Sequence, residues 1–275
     1  MEISTIVHPT DFSEASASAF VHALRIAITA KATLTVLHVA GAKKPPEWDQ
    51  FPHIRKTLSD WGLLSETDTT DAIAEKLGMT VRKVEMEPQS PVEGVQHFLR
   101  THAADLIVLS TEGREGISRW LHGSVAEKLA RHTRAPTLFV PAKARGFVDP
   151  RRGEVSLKRV LIPVDHDPQP VAAIGRIMSF AHLIAGIDAE ERLLHVGHEA
   201  PDVKRPAEPH RRLPVALRKG DAVQAIIDGA KEWPADLIGM PTAGHNGFLD
   251  ALRGSTTERV LRQAPCPLLA VPVAG

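Results

Sequence analysis

One phrase occurs twice in this chain, and that repetition constrains its fold more than any other feature. Residues 104–125 read ADLIVLSTEGREGISRWLHGSV, and residues 235–256 read ADLIGMPTAGHNGFLDALRGST. Each is read as a short apolar strand ending in Asp-Leu-Ile that runs into a loop where a Gly is followed, after nine intervening residues, by Gly-Ser. The pairs are Gly113 with Gly123-Ser124 and Gly244 with Gly254-Ser255. A second echo lies upstream, where TIVHPTDFS closes a strand at Asp11 and RVLIPVDHD closes one at Asp165. Self-similarity at this scale marks a tandem duplication of one strand-first α/β unit.

Within each unit, strands alternate with helices, the pattern of a parallel, doubly wound, Rossmann-like sheet. In unit one, strands are expected at Ile3–Val7, Leu34–Val39, Val81–Val84, Leu106–Leu109 and Thr137–Val140. A first helix begins near Asp11 and Ser13, with Glu14 three residues after Asp11 as a capping box requires, and it buries Phe20, Leu24, Ala27 and Ile28. A later helix covers Val92–Arg100. Unit two repeats the strands at Val160–Val164, Arg192–Val196, Val215–Leu217, Leu237–Met240 and Leu268–Val271. The expected division is residues 1–143, a polar Gly- and Pro-bearing linker at 144–156, and residues 157–275.

The copies differ in length. Asp11 to Asp165 is an offset of 154 and Gly113 to Gly244 one of 131, so unit two is 23 residues shorter between these landmarks. Unit one has room there for a helix or helix pair over 53–77, whereas Pro201, Pro206, Pro209 and Pro214 forbid a long helix in unit two. Unit two is therefore expected to lack its second helix.

With 33 basic and 33 acidic residues, the chain carries no charge excess that would direct it to nucleic acid or a membrane surface. Cys266 is the single cysteine, so no intrachain disulfide forms and a reducing compartment is the simplest setting. The chain enters a strand almost at once and holds no apolar run of bilayer length, which makes a cytoplasmic protein the expectation.

In an open parallel sheet, ligands sit beyond the carboxyl ends of the strands, where the strand order switches. The Asp after strand one, the residue after strand two (Val39 or Val196) and the Gly loop after strand four converge there. Gly113 and Gly123 allow close approach of backbone amides to an anion, and Gly123-Ser124 opens a helix whose positive end attracts phosphate. Ser124 with Glu127 and Ser255 with Glu258 also satisfy capping boxes, so spacing alone leaves open whether these serines bind an anion or start helices.

At these residues both halves resemble universal stress protein domains, and the whole chain resembles a tandem, two-domain member. PTDFSE (9–14), TVLHV (35–39) and APCPLLAVP (264–272) are also similar to family phrases. The resemblance implies two domains of the adenine nucleotide alpha-hydrolase-like kind, joined as an internal pseudo-dimer through their last strands, with a homodimer of such chains as a further step. It implies ATP or another adenine nucleotide as ligand, with Mg as an optional companion, and no redox cofactor. The family pattern Gly-x2-Gly-x9-Gly-Ser/Thr implies adenine contacts at Asp11 and the Val39 backbone, with phosphate or ribose contacts at Gly113, Gly123, Ser124 and Val125. Arg114 lies close enough to join them. The matching set in unit two is Asp165, Val196, Gly244, Gly254, Ser255 and Thr256. Both copies depart at the first glycine, where Ser110 and Pro241 stand; proline removes an amide donor, so unit one is the better nucleotide site.

No P-loop motif is present, nor the HIGH or SGGxDS phrases of adenylyl-transferring proteins of this fold, so no catalytic residues are assigned. The expected role is a stress-response switch or scaffold with little or no turnover, acting on an unidentified protein partner. Two alternatives stand beside it, a nucleotide-free interaction scaffold and a weak ATPase or metal-dependent phosphohydrolase. The metal alternative draws on His166, His198 and His245, which follow strands one, two and four of unit two; solvated loop histidines are the plainer reading. His38 and His195 lie inside the second strands as core or core-edge residues. Trp48, Trp61, Trp120 and Trp233 are scattered as packing residues.

Overall fold

The structure is a computed structural model of the 275-residue chain, and it describes all residues except 40–47, 88–90, 111–134, 167–169, 187–188, 206–207, 244–255 and 274–275. Unit one runs β1 (Thr5–Thr10), α1 (Glu14–Ala30), β2 (Thr33–Val39), α2 (Ile54–Asp60), α3 (Asp71–Leu77), β3 (Thr80–Met86), α4 (Pro91–Thr101), β4 (Leu106–Ser110) and β5 (Thr137–Val140). Unit two runs β6 (Arg159–Pro163), α5 (Val171–Ala185), β7 (Glu190–Val196), β8 (Lys204–Arg205), β9 (Glu208–Arg212), β10 (Val215–Arg218), α6 (Ala222–Glu232), β11 (Leu237–Ala243), α7 (Thr256–Leu261) and β12 (Leu268–Val273). The sequence places the strands well, with one shift that matters: β1 starts at Thr5 and continues to Thr10, rather than covering Ile3–Val7.

Ten strands form one sheet in the order β10-β7-β6-β11-β12-β5-β4-β1-β2-β3. Each unit therefore has the doubly wound order 3-2-1-4-5, and the two are mirrored about the centre. There β5 and β12 pair antiparallel, with Phe139 opposite Leu268 and Thr137 opposite Ala270; within each unit the pairs are parallel. The tandem units thus close as an internal pseudo-dimer.

Alternation along the strands sends successive residues to opposite faces. Ile6, Val36 and Ile162 join α1 and α5 in a single core spanning both units, to which Leu138 and Leu269 from the central strands also belong. Val7 and Leu37 face the other way, against α4, and Leu161 does the same against α6 and α7. Burial on both faces explains why the strands are near-continuous apolar runs.

Helix α1 is started by Ser13, whose side chain accepts from the Ser16 amide, and it ends at Lys31 in a left-handed conformation (φ 52). Of the two candidate caps, Asp11 and Ser13, it is Ser13 that caps the helix, and the capping box expected between Asp11 and Glu14 is not the device used. Asp11 holds the cap instead, since its Oδ1 accepts from Ser13 N (3.0 Å) and Ser13 Oγ (2.6 Å).

Between β2 and β3, unit one carries the helix pair α2 and α3; between β7 and β10 the described residues of unit two form the antiparallel ribbon β8–β9. The stretch read as a polar linker is packed. Phe147 is fully buried, Val148 bridges Val155, and the Phe147 amide donates to His22 Nε2 at 3.1 Å. Trp61 donates Nε1–H to the Pro150 carbonyl at 3.1 Å, so the connection is pinned to both α1 and the end of α2. Among the described residues no helix is long and apolar enough to cross a membrane.

Candidate functional site

Each unit opens a crevice at its switch point. Strand β1 pairs with β2 along its whole length, from Thr5 opposite Thr33 to Thr10 opposite His38. On its other side it pairs with β4 at Ile6–Leu106 and Val7–Ile107, and beyond these the two strands part. Strands β6 and β11 repeat this, pairing at Val160–Leu237 and Leu161–Ile238.

The duplicated Asp-Leu-Ile explains why the strands stay together at the opposite end. Asp105 Oδ2 accepts from the Ser4 and Thr5 amides and from Thr5 Oγ1, each at 2.9 Å. Asp236 Oδ2 accepts from Lys158 N at 2.9 Å and Arg159 N at 3.0 Å, and its other oxygen is paired with Arg145. A carboxylate at the start of strand four clasps the start of strand one, leaving the carboxyl ends to diverge. Both aspartates lie in the duplicated phrase, yet the sequence reading passed over them.

In unit one the crevice is flanked by Asp11, Val39 and Ser110. Backbone groups alternate sides along a strand. The Ile107 amide donates toward β5, to the Pro136 carbonyl, so the Ser110 amide, three residues on, faces the β1 side and the crevice. By the same alternation the Ile238 amide donates to Pro267, and Pro241 stands where unit two would direct its matching donor. Val39 is buried at the end of β2, packed so closely under α4 that a Cβ on Gly94 would lie 2.6 Å from its methyl group.

The floor of the unit-one mouth is aromatic. His38 donates Nδ1–H to the Thr10 carbonyl at 2.9 Å. Phe12, in the left-handed region at φ 59, stacks on His38 with ring centroids 4.2 Å apart, and Phe51 meets Phe12 edge-on at 5.1 Å. Such a φ is uncommon for a bulky residue; the stack and the bond from Phe12 N to Thr10 Oγ1 (3.2 Å) hold it. Beneath, His8 donates Nδ1–H to the Val108 carbonyl at 2.9 Å, replacing a backbone rung where β1 and β4 separate. Full burial pushes the His8 pKa down to about 4, against hydrogen bonding to Val108 and the Asp11 charge.

Unit two builds the same joint from other side chains. His195 donates Nδ1–H to the Val164 carbonyl at 2.9 Å, the counterpart of the bond from His38 to Thr10. His166 occupies the position of Phe12 and meets His195 edge-on at 5.1 Å. Asp165 is exposed; its Oδ1 accepts from the His166 amide at 2.8 Å and lies 3.7 Å from His195 Nδ1. Val196 ends β7 opposite Arg218, and Thr256 is the exposed first residue of α7.

Of the residues singled out in the sequence, Asp11, Val39 and Ser110 gather at one mouth and Asp165 and Val196 at the other. Gly113, Arg114, Gly123, Ser124, Val125, Gly244, Gly254, Ser255 and His245 lie outside the described residues. His166 turns to His195 and to the Glu199 carbonyl (Nε2 at 3.1 Å), and among the described residues no group of three or more His, Cys, Asp or Glu is placed to hold a metal. Trp61 is buried, and Trp233 packs under the Arg192 guanidinium, 4.4 Å from its ring centroid, as packing residues should. Phe12 and Phe51, which shape the unit-one mouth, escaped the sequence reading; the Phe in PTDFSE was the available signal.

Comparison with known proteins decides the family. The pattern described as the Universal stress protein family matches residues 2–141 and 187–272. The chain belongs to this family. A universal stress protein of Methanocaldococcus jannaschii is 30% identical over 141 residues, covering 49% of this chain and 80% of that protein. One from Mycobacterium bovis is 23% identical over 268 residues and 86% of each chain, so the likeness extends across both units. The crystal structure of a universal stress protein from Archaeoglobus fulgidus superposes over 98% of this chain and 96% of its own, with a TM-score of 0.62 at 18% identity. Such a likeness establishes the tandem fold.

Proposed function

We propose that this universal stress protein binds ATP or a related adenine nucleotide in the unit-one crevice and acts as a nucleotide-responsive switch or scaffold, with little or no turnover. The supporting observation is the asymmetry at strand four. The two strand pairs part at matching places, with an acidic residue beside each, but only β4 keeps an amide donor where β11 has Pro241. The residues fit the ligand class: Asp11 offers a carboxylate for the exocyclic amine of adenine, and Ser110 leads into the Gly113–Val125 loop that would cradle phosphates. Mg would accompany the phosphates. On this reading the nucleotide units are residues 1–143 and 157–275, the protein is cytoplasmic, and the pseudo-dimer presents a surface to a protein partner or a second chain.

A nucleotide-free scaffold is the second reading, favoured by the Asp11 carboxylate already being held by Ser13. Denaturing the purified protein and identifying any released nucleotide by mass spectrometry separates the two. Release of ATP from the wild type and from Gly254→Val, but not from Gly123→Val, is expected. An empty wild type that also ignores added ATP leaves the scaffold.

A further inference from the structure

Unit one has a cavity that its nucleotide crevice does not use. It lies at the outer edge of the sheet, between α2, α3 and β3, with a volume of about 650 Å³, within the usual size range of small-ligand sites. Its apolar side is formed by Ile54 and Ile73, both buried, and half-buried Val81. Asp11, Val39 and Ser110 do not line it. The helices that wall it belong to the extra length of unit one; in unit two the ribbon β8–β9 stands in their place.

Two cations face this space. Lys83 extends from β3 with its ammonium 5.7 Å from the centre of the Phe51 ring, and burial lowers its pKa from the ordinary value although Asp49 draws the other way. Arg55 makes one long bond, from Nη2 to the Glu66 carbonyl at 3.4 Å. Of the other charged wall residues, Lys56 is engaged by Asp60 at 3.0 Å, and Glu66 brings a carboxylate to the same wall. Among the described residues no carboxylate is in ion-pair contact with Lys83 or Arg55. A cation at the rim of a cavity gains from a charge-assisted bond to an anion, and the adjacent aliphatic surface gains from an apolar tail.

We propose that this cavity binds a small carboxylate bearing an apolar tail, the carboxylate against Lys83 and Arg55 and the tail over Ile54, Ile73 and Val81. The site is independent of the nucleotide reading and has no counterpart among the described residues of unit two.

Calorimetric titration of the full chain with octanoate, 1-octanol and acetate tests this. Octanoate is expected to saturate one site per chain, with 1-octanol and acetate each at least about tenfold weaker because each supplies half of the recognition. Lys83→Met keeps the length and apolar stem of the side chain and should weaken octanoate about tenfold while melting like the wild type. Ile73→Trp should abolish binding by filling the cavity; if that variant does not fold, Lys83→Met alone decides. Failure of octanoate to saturate, equal binding by wild type and Lys83→Met, or 1-octanol binding as tightly as octanoate would each overturn the proposal.

Discussion

The two mouths share one joint and differ in what fills it. In both, a histidine near the end of the second strand donates to the carbonyl just before the strand-one aspartate, and an aromatic ring after that aspartate packs on the histidine. In unit one that ring is Phe12, backed by Phe51 from the extra segment, so the joint is closed and apolar. In unit two the ring is His166, exposed and turned to a backbone carbonyl, with nothing like Phe51 described behind it. The duplication preserved the backbone geometry, and divergence acted on what surrounds the crevice. Beneath the sheet the same holds: with the offset of 154, buried His8 and His22 of unit one correspond to Ile162 and Arg176 of unit two.

The largest effect should come from removing Phe51, which has no counterpart among the described residues of unit two. Phe51 is buried to within 1% of its surface, so Phe51→Ala should cost about 3–5 kcal/mol by urea unfolding. His166→Ala, at the exposed joint of unit two, should cost far less.

Acid should act through unit one. Burial holds His8 and His22 near pKa 4, against an ordinary 6.5. Between pH 6.5 and 4 the unfolded chain therefore takes up more protons than the folded one. Stability is full above about pH 6.5 and falls toward pH 4, by about 3 kcal/mol per histidine. His22 adds a structural reason, since its Nδ1–H is given to Ser18 O and its Nε2 must stay unprotonated to accept the Phe147 amide. Urea unfolding from pH 7 to 4 should show this slope, and His8→Ile, which installs the unit-two residue, should flatten it.

A smaller difference is expected at the paired clasps. Asp236 is 6% exposed whereas Asp105 is half-buried. Asp236→Ala leaves deeper donors unsatisfied and should cost about 1–3 kcal/mol, more than Asp105→Ala, by thermal or urea unfolding. The smallest change is His166→Phe, which copies the unit-one ring at an exposed position and should shift stability by less than about 0.5 kcal/mol. A larger shift in the same unfolding measurement would show that the His166 joint is more tightly built than its exposure implies.

What could be read from the chain follows from which physical signals are local. Apolar runs and the Asp11–Asp165 repeat report strand order directly, because a strand buried on both faces must be apolar throughout. The prolines from Pro201 to Pro214 excluded a long helix, but they do not announce the β8–β9 ribbon. The 144–156 stretch looked like a linker because most of it is polar, and only Phe147 and Val148 hinted that it packs. Its anchors, His22 and Trp61, lie 125 and 89 residues away from their partners, beyond any local pattern. Phe51 is similar: nothing near it in sequence marks a residue that will back Phe12. The duplicated Asp105 and Asp236 were visible but read as strand ends leading to a loop, when their carboxylates act at the other end of the crevice.

The comparison rests most directly on one backbone donor. Titration calorimetry with ATP should be run on the wild type, Ser110→Pro and Asp165→Ala, with near-ultraviolet circular dichroism to confirm the fold of each. One ATP per chain in the wild type and in Asp165→Ala, with none in folded Ser110→Pro, is the expected result. Unchanged binding by Ser110→Pro, or a wild type that takes up no ATP, would contradict a nucleotide site in the unit-one crevice built on that amide.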